Sequence, residues 1–496
     1  MKKNLQVLIL VAGAAILGLL ALAVLRAGME GTQPVQKPAT APSQASDREE
    51  DTFRERVKRP TNVILLSIDT LRRDHLPFYG YERVTAPHLQ RLAEQAVVFD
   101  NAVSAHTNTA PSHATMLTGL YASGHGILKN GGSLREDVLT LPEVLRERGY
   151  RSGAFVSAYT LGKHTKLQRG FDPYNIELPR RRRRPAGKTY AEARSWIRER
   201  ARAGQPFFLF LHFFDPHNPY DPPGEFAKMF RDDPERFAGV FPSRDRRRFR
   251  KTGTPELFRD LIARYDGEIA YADSQVGRLL EQLEQLGIAG HTLLAFVSDH
   301  GETLLEREWV FDHGCRVYDE QLLVPMVIRF PDRSHAGKRI DTQVSLVDLM
   351  PTILDLLEIP PPRTVAGRSL LPLLDDPGSA GDARPAFSNA RFSKRRLGHI
   401  KARLTGRSAL ISSVRLPGIK LIEYPSRKGD YYQELFDLQA DPGETRNLSR
   451  EMPDLAARLH SQLEAWKKQS RSADAAEPPV LSPEVEAALR ELGYIQ

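Results

Sequence analysis

The order of hydrophobic and polar positions after residue 60 predicts strands that alternate with helices. The predicted strands are apolar, β-branched runs at Asn62–Ile68, Val97–Phe99, Gly153–Ser157, Phe207–Phe213, Leu293–Val297 and Val324–Phe330. The predicted helices include Ala86–Gln95, Leu141–Arg148 and Tyr265–Leu286. Strands that are apolar throughout and alternate with helices are typical of a mostly parallel sheet covered on both faces. The sequence therefore predicts an α/β fold, in which ligands bind at the carboxyl ends of the strands.

The pattern changes after residue 375. Shorter mixed segments, "LISSVRLPGIKLIEY" and "YYQELFDL", predict a small antiparallel sheet, followed by a charged helix at Pro453–Lys468. Ser482 and Pro483 have the residue types of an N-cap and a first helical position, so they predict one more short helix. We therefore expect a main α/β domain over 59–375, a C-terminal α+β subdomain over 376–470 and a tail over 471–496.

The N-terminal segment has the pattern of a membrane anchor. Lys2 and Lys3 precede an apolar run, Val7–Leu25, which approaches the ~20 residues that span a bilayer. We expect an uncleaved signal anchor over 1–26 and a flexible, Pro- and Ser-containing linker over 27–58. A signal peptide cleaved after Ala21–Ala23 is the alternative. Either arrangement keeps the lysines in the cytoplasm, so we expect a single-pass protein of the inner (cytoplasmic) membrane with an extracytoplasmic, periplasmic main domain.

Composition restricts the chemistry. The 496 residues are 41% hydrophobic and 27% charged, which suits a globular protein. A net charge of +8 favours anionic partners in a general way. The single cysteine, Cys315, excludes a disulfide within the chain and a cysteine-based zinc site. Basic runs at 180–184, 244–251 and 394–396 are interpreted as solvated loops. Because they lack a recognisable fold and interleaved aromatic residues, nucleic-acid binding is not predicted.

Two predicted strands end on acidic residues. Asp69 follows the first strand, and Asp299 follows "TLLAFVS", with His300 directly after it. One such aspartate is usually a cap or turn residue. Two of them with a histidine form a common ligand set for a divalent cation.

The stretch "HTNTAPSHATMLTG", residues 106–119, places Thr109 just ahead of a predicted short helix that contains Pro111. The free N–H groups at a helix start attract anions. A threonine beside a cation can lose its proton and attack a phosphoryl or sulfuryl group. The alternative is that Thr109 and Ser112 only cap the helix.

Histidines follow two other strands. "FLFLHFFDPHNPYDPP" carries His212 inside the strand and His217 in the turn after it, so His217 is the better candidate for protonating a leaving group or binding metal. Asp215 and Asp221 lie in the same turn. His313 comes thirteen positions after His300, in "FDHGCRVYDEQLLVPMVI".

Four motifs, taken in order from Pro60 to Pro372, resemble the sulfatase family of the alkaline phosphatase superfamily. They are "NVILLSIDTLRRDHLPFYGY", "TAPSHATMLTGLY", "HFFDPHNPY" and "SDHGE" followed by "HG" and "YDEQLLVPMVIR". The segment "YYQELFDLQADPGETRNL" is similar to the end of the family's C-terminal subdomain. The resemblance implies an alkaline-phosphatase/sulfatase-like α/β fold with a catalytic domain over 59–375.

The resemblance also implies roles for single residues. Asp69, Asp299 and His300 bind the metal, and Thr109 is the nucleophile and a further ligand. His217 contacts the substrate or leaving group, and His113 is a third catalytic candidate. Candidates for a second metal or for substrate contact are His313, Asp215, Asn130 and Lys129.

Several positions depart from the family pattern. Sulfatases oxidise a cysteine or serine to formylglycine at the position held here by Thr109, so no formylglycine is expected. His113 replaces an arginine, Thr70 replaces an acid, and His300 replaces a frequent asparagine. The added imidazole favours zinc or manganese over calcium or magnesium, and one metal is favoured over two.

We therefore expect a metal-dependent hydrolase of sulfate or phosphate esters, with phosphoryl chemistry favoured by the threonine. The expected partners are an anionic ester, on a glycan or lipid, and the membrane through the N-terminal helix. The alternatives are a membrane-anchored phosphoethanolamine-type transferase and a catalytically silent homologue that binds anions or glycans.

Overall fold

The computed structural model describes residues 62–176, 183–242, 246–375, 384–391, 410–425 and 431–470, with two isolated positions at 483 and 487. The expected anchor, the linker, the basic run at 394–396 and nearly all of the tail lie outside these residues, as do positions 180–182 and 244–245 of the other basic runs. Within the described ranges, no helix has both the length and the apolar character needed to cross a bilayer.

A nine-stranded sheet forms the centre of the main domain. Its strands are β1 Asn62–Ile68, β2 Val97–Val103, β3 Arg151–Val156, β4 Tyr174–Asn175, β5 Phe207–Phe213, β6 Thr292–Ser298, β7 Leu323–Arg329, β8 Arg339–Ile340 and β9 Val344–Ser345. The order is β4-β3-β5-β1-β6-β7-β2-β8, with β9 paired to β2. Among these strands β7 runs antiparallel to both neighbours, and the other pairings are parallel. The predicted mostly parallel sheet is confirmed.

Helices cover this sheet and bury its apolar side chains. The α-helices of the main domain are Pro87–Glu94, Thr109–Thr118, Ala122–His125, Leu141–Arg146, Ala186–Ala203, Arg246–Thr252, Pro255–Gln285, Asp319–Leu322, Leu349–Leu356 and Pro372–Asp375. Short 3₁₀ helices lie at Arg73–His75, Pro77–Tyr79, Tyr159–Leu161, Lys163–Thr165, Gly224–Ala227, Ala289–His291 and Leu346–Asp348. The three predicted helices are present, and the third begins ten residues earlier than predicted, at Pro255. There Thr254 caps the helix, because its Oγ1 accepts a hydrogen bond from the Leu257 amide.

A separate antiparallel sheet follows in the C-terminal region. Its strands are β10 Ala386–Arg391, β11 Leu410–Leu416, β12 Ile419–Pro425 and β13 Tyr431–Asp437, in that order across the sheet. The helix Pro453–Ser470 packs Leu459, Leu463 and Trp466 against the apolar face of this sheet. The predicted antiparallel α+β subdomain is confirmed, while its boundary at 375 stays a prediction.

The C-terminal sheet supports the loop that leads to the Thr109–Thr118 helix. The amide of Asn389, on β10, donates to the carbonyl of Ala105 (2.9 Å), and the amide of Thr107 donates to the carbonyl of Asn389 (3.2 Å). Ser388 Oγ donates to the carbonyl of Ser104 (2.6 Å). The edge strand of the small sheet therefore fixes the backbone two residues before Thr109.

Candidate active site

Asp69, Asp299 and His300 meet at the carboxyl ends of two neighbouring strands. β1 and β6 are parallel and pair in register up to Ile68 and Ser298, so the residue after each strand lies at the same edge. Ligand atoms of the three side chains all lie within 4.8 Å of one another. His300 Nε2 is 3.4 Å from Asp299 Oδ2 and 3.9 Å from Asp69 Oδ1. We call this group the strand-end cluster.

The strand-end cluster has the unmet bonding capacity of a cation site. All three side chains are 0% exposed. Both carboxylate oxygens of Asp69, Asp299 Oδ2 and His300 Nε2 have no hydrogen-bond partner in the described structure. Burial and the charge of Asp299 raise the pKa of Asp69 well above its ordinary value. Buried, unpaired carboxylates are costly, and a divalent cation would satisfy all of these atoms, so the residues fit such an ion.

The tautomer of His300 suits a metal ligand. Its Nδ1–H donates to the carbonyl of Gly301 (3.0 Å). The carbonyl can only accept, so Nε2 keeps its lone pair on the side of the two carboxylates. A backbone acceptor on the other ring nitrogen is the usual way in which proteins orient a ligating histidine.

The residue after Asp69 is strained. Thr70 has φ of 55°, in the left-handed region that a β-branched residue rarely adopts, at a cost of about 1–3 kcal/mol. Its amide donates to Asp299 Oδ1 (3.3 Å) and its carbonyl accepts from the Tyr265 hydroxyl (2.7 Å). The strain turns the chain sharply after Asp69 and ties the ends of β1 and β6 together.

Thr109 is the first residue of the buried helix Thr109–Thr118, and not the residue ahead of it as the sequence led us to expect. The helix ends at Gly119, whose φ of 65° allows its amide to donate to the carbonyl of Thr115. Ser112 Oγ donates to the carbonyl of Asp299 (2.7 Å), which holds the first turn against the strand-end cluster. Thr109 Oγ1 is buried and has no hydrogen-bond partner among the residues described, so the threonine does not cap the helix.

The helix start offers fewer free N–H groups than the sequence suggested. The amide of Ala110 donates to Asn130 Oδ1 (2.9 Å), and Pro111 has no N–H. Asn130 is buried, and its Nδ2 lacks a hydrogen-bond partner within the described ranges. The amide group of Asn130 therefore presents a donor beside the first turn, where a substrate oxygen could accept it.

His113 is held between β1 and the Thr109 backbone. Its Nδ1–H donates to the carbonyl of Thr109 (2.8 Å), so Nε2 is the acceptor of the Ser67 hydroxyl (2.8 Å). Burial lowers the pKa of His113 to about 3. The His113 side chain is therefore neutral, and it holds the Thr109 backbone beside β1 without supplying a positive charge.

His212 is closer to the strand-end cluster than its place inside a strand suggested. Its Nε2 lies 3.5 Å from Asp69 Oδ2, and its ring is 4.9 Å from that of His113. The Ser157 amide donates to His212 Nδ1 (3.4 Å), which leaves the Nε2–H as a donor. The sequence preferred His217 over His212, and the structure places His212 directly beside Asp69.

His217 and His313 continue from His300 as a row of rings. Ring centroids are 4.7 Å apart for His300 and His313 and 4.8 Å apart for His313 and His217. His217 Nδ1–H donates to the carbonyl of Asn218 (2.6 Å), and His313 Nδ1 lies 3.2 Å from Glu302 Oε1. Burial and the neighbouring His313 lower the pKa of His217 well below its ordinary value. We call these three residues the histidine row.

Asp215 and Lys129 make contacts outside the strand-end cluster. Asp215 Oδ2 accepts the amide of Ala186 (2.8 Å) at the start of the helix Ala186–Ala203, so this carboxylate holds a helix end, and its part in a second metal site stays a prediction. Lys129 is half-buried, and burial and the charge of Arg391 lower its pKa. Within the described residues, His217 and His313 belong to no group of three or more metal-ligating atoms.

Sequence reasoning missed two site residues besides His212. Glu302 is fully buried, contacts His313 and has its pKa raised to about 8 by burial and by the charge of Asp312. Its position two residues after His300 was the available signal. His106 is also fully buried, and its Nδ1 accepts the amide of Asn108 (3.0 Å). Its place three residues before Thr109 was a weak signal, because histidine is common in loops.

A second group of two acids and a histidine lies in the C-terminal subdomain. Glu423 on β12 and His460 and Glu464 on the last described helix have ligand atoms within 4.8 Å of one another. Glu423 Oε1 lies 2.6 Å from His460 Nδ1, and Lys467 Nζ bonds both Glu423 Oε2 (3.1 Å) and Glu464 Oε1 (2.9 Å). We call this group the helix cluster, and Lys467 already supplies its cation.

Comparison with known proteins agrees with this geometry. The model of the family "Sulfatase" matches residues 61–359, and that of "N-sulphoglucosamine sulphohydrolase, C-terminal" matches residues 306–469. The chain belongs to the sulfatase family. The predicted resemblance and the prediction of a sulfatase-like ester hydrolase are confirmed at the level of the family.

The relatives and solved structures that are similar to this chain are named for more than one activity. An arylsulfatase of Clostridium perfringens is 26% identical over 384 residues, which cover 64% of this chain and 79% of that protein. The phosphonate monoester hydrolase of Agrobacterium radiobacter has the same fold (TM-score 0.67, 22% identity, 86% of this chain and all of that one). So does a protein solved with its substrate D-glucosamine-2-N,6-O-disulfate (TM-score 0.66, 21% identity, 85% of this chain and all of that one).

Proposed function

We propose that this chain hydrolyses sulfate or phosphate esters with Thr109 as the nucleophile, at a single divalent cation held by Asp69, Asp299 and His300. The observation that carries the proposal is the unpartnered, buried Oγ1 of Thr109 at the first turn of a helix that is bonded to Asp299 through Ser112. A threonine that only capped the helix would have its hydroxyl bonded to a backbone amide.

The donor set suits zinc or manganese, with calcium and magnesium as alternatives, because it joins two carboxylates to one imidazole. When bound, the cation lowers the pKa of the Thr109 hydroxyl and withdraws charge from the oxygens of the ester. The chain's own residues orient the reacting groups: Ser112 and His113 hold the first turn, and Asn130 Nδ2 is a donor for an ester oxygen.

In the first step, Thr109 Oγ1 attacks the sulfur or phosphorus, the bond to the leaving oxygen breaks, and the hydroxyl proton of Thr109 passes to that oxygen, which gives a covalent threonine ester and a free alcohol. In the second step, water attacks the same atom, the bond to Oγ1 breaks, and one proton of the water returns to Thr109. Because Nδ1–H of His217 is bonded to the Asn218 carbonyl, its Nε2 is an acceptor in the neutral form that burial favours. His217 therefore suits the removal of a proton from that water better than the protonation of the leaving alcohol.

The substrate class follows from the family and from the charge of the site. A cation and a buried donor select an ester with a negatively charged head. The protein solved with D-glucosamine-2-N,6-O-disulfate has the same fold, which supports sulfated sugars as the first substrates to assay. The phosphonate monoester hydrolase of the same fold supports assays of phosphorus esters in parallel.

The test is a side-by-side assay of an aryl sulfate, an aryl phosphate, a phosphodiester and a phosphonate ester with the wild type and three variants. We expect Thr109→Ala to lose activity by about a thousandfold and Thr109→Ser to keep a measurable part of it. Thr118→Ala is the matched control, since the Thr118 hydroxyl donates to the carbonyl of Ala114 and accepts the amide of Leu120 at the opposite end of the helix from Thr109, and the variant should stay close to the wild type.

Mass spectrometry of the quenched reaction should place the covalent group on the peptide that contains Thr109. Turnover of any ester at the wild-type rate by Thr109→Ala would refute the threonine mechanism. The fate of the transferred group separates two activities. A hydrolase releases free sulfate or phosphate without an acceptor, whereas a transferase places the group on an added lipid or glycan.

A further inference from the structure

A basic side chain lies next to the turn that carries the end of the histidine row. Arg246 begins the helix Arg246–Thr252, and its Nη2 donates to Asn218 Oδ1 (3.3 Å). The carbonyl of the same Asn218 accepts His217 Nδ1–H (2.6 Å). One residue therefore joins Arg246 to His217, and two ring contacts lead from His217 to the metal ligand His300.

Two hydrogen-bond donors at this point have no partner. Arg246 Nη1 and Asn218 Nδ2 are enclosed atoms, and no described residue accepts a hydrogen bond from either. The two side chains are only partly buried as a whole, so other atoms of each side chain face solvent. A guanidinium and a primary amide that lie side by side, with Arg246 Nη2 bonded to Asn218 Oδ1, are suited to a carboxylate, sulfate or phosphate group.

The charges around Arg246 leave it available for an anion. No carboxylate among the described residues lies within 4.0 Å of its guanidinium, the distance of an ion pair. The acid whose charge acts on it, Glu302, has Oε1 3.2 Å from His313 Nδ1. Arg183 adds a second positive charge at the same turn, since its Nη1 donates to the carbonyl of Pro219 (2.9 Å).

We propose that Arg246 and Asn218 form a second anion-binding site that holds a further acidic group of the substrate, beyond the ester that is hydrolysed at the strand-end cluster. The inference rests on the proposed function and narrows its substrate class to sugars that carry at least two anionic groups. His113 is neutral, so the positive charge comes from Arg246, at a distance from the reacting atom. There the charge of Arg246 contributes to selection of the substrate and not to the chemical step.

The test measures binding apart from turnover, in the Thr109→Ala variant loaded with manganese. Calorimetry compares D-glucosamine-6-O-sulfate with D-glucosamine-2-N,6-O-disulfate. We expect the disulfate to bind about tenfold more tightly, in line with one charge-assisted pair, and Arg246→Gln to remove that difference. Affinity for the monosulfate should fall less than about twofold, because that sugar has no group for the second site.

Lys251→Gln is the matched control, because it removes one positive charge from the exposed end of the same helix and should keep the preference. Arg246→Lys, which keeps the charge but loses the planar pair of donors, should fall between wild type and Arg246→Gln. Equal affinities for the two sugars, or a preference that Arg246→Gln leaves intact, would overturn the inference. Failure of the proposed function would give a different result. The wild type would hydrolyse none of the esters, while the disulfate would still bind more tightly than the monosulfate.

Discussion

The strand-end cluster and the helix cluster contain the same kinds of residues, two acids and one histidine, and in each the ligand atoms lie within 4.8 Å of one another. They differ in what surrounds them. In the strand-end cluster, four ligand atoms are buried without a hydrogen-bond partner in the described structure. In the helix cluster, Glu423 is bonded by His460, by Gln433 Nε2 (2.9 Å) and by Lys467.

The comparison teaches that residue type and spacing do not define a metal site. A buried carboxylate needs a positive partner. The helix cluster has that partner within the chain, while no described residue bonds the unpartnered ligand atoms of the strand-end cluster, which favours an ion at that position. The exposed fractions separate only part of the two groups: His460 and Glu464 are 36% and 34% exposed, whereas Glu423 is 0% exposed, as are Asp69, Asp299 and His300.

The largest predicted difference is in catalysis. Asp299→Asn removes one ligand charge from the strand-end cluster, and we expect kcat/KM to fall by about a thousandfold with loss of bound metal. Glu423→Gln makes the same chemical change in the helix cluster and should stay within about twofold of the wild type, because the two sites are independent. Both variants are compared by ester hydrolysis and by metal content after dialysis. Metal retained by Asp299→Asn and lost by Glu423→Gln would reverse the assignment.

Metal should stabilise the fold through one cluster and not the other. At a free metal concentration of 100 times Kd, binding to the native state alone adds about 2.7 kcal/mol to the free energy of unfolding. We expect thermal unfolding to shift upward on addition of manganese or zinc to the chelator-treated protein. His460→Ala should keep this shift and His300→Ala should lose it. An equal shift in both variants would show that the ion binds elsewhere.

Without metal, neutralising an acid should have opposite effects on the two clusters. Asp69→Asn relieves the repulsion between two buried carboxylates and should raise the free energy of unfolding by about 1 kcal/mol. Glu423→Gln weakens the bonds to Lys467 and His460 and should lower it by about 2 kcal/mol. Denaturant unfolding in the presence of a chelator measures both. A loss of stability in each variant would mean that the strand-end acids are already neutralised within the chain.

Much of the fold and the grouping of Asp69, Asp299 and His300 could be predicted from the sequence, because both depend on strand periodicity. Apolar runs that end in Asp69 and Asp299 indicate strand ends, and parallel strands bring their ends to one edge. The short helix that contains Ser112 was also predicted, although Thr109 was expected just ahead of it and is its first residue.

Other features depend on contacts between distant segments, which periodicity does not report. His212 looked like an ordinary member of an apolar strand, and only the pairing of β5 with β1, which sets His212 beside Ser67, brings it to Asp69. The pattern of Asp215 suggested a ligand, but its carboxylate meets the start of a helix 29 residues away in the chain. The strain at Thr70 could not be predicted, because no sequence pattern indicates that a β-branched residue adopts a positive φ.

The smallest predicted effect concerns Lys467, the internal cation of the helix cluster. Burial by itself would lower its pKa, but the hydrogen bond to Glu464 and the charge of Glu423 outweigh burial and raise it above 10.5. A raised pKa means that the folded state binds the proton more tightly, so this contribution to stability is complete below pH 10.5 and is lost as the pH rises through the folded-state value.

Lys467→Met should therefore destabilise the protein by about 1 kcal/mol at neutral pH, and the difference from the wild type should shrink above pH 10.5. The same variant leaves Glu423, His460 and Glu464 without their lysine, so the helix cluster comes to resemble the strand-end cluster. Part of the lost stability should then return on addition of millimolar zinc. Suppose that zinc restores no stability to Lys467→Met even though the difference from the wild type shrinks above pH 10.5. That result would show that burial of the ligand atoms, and not the absence of an internal cation, distinguishes the strand-end cluster from the helix cluster.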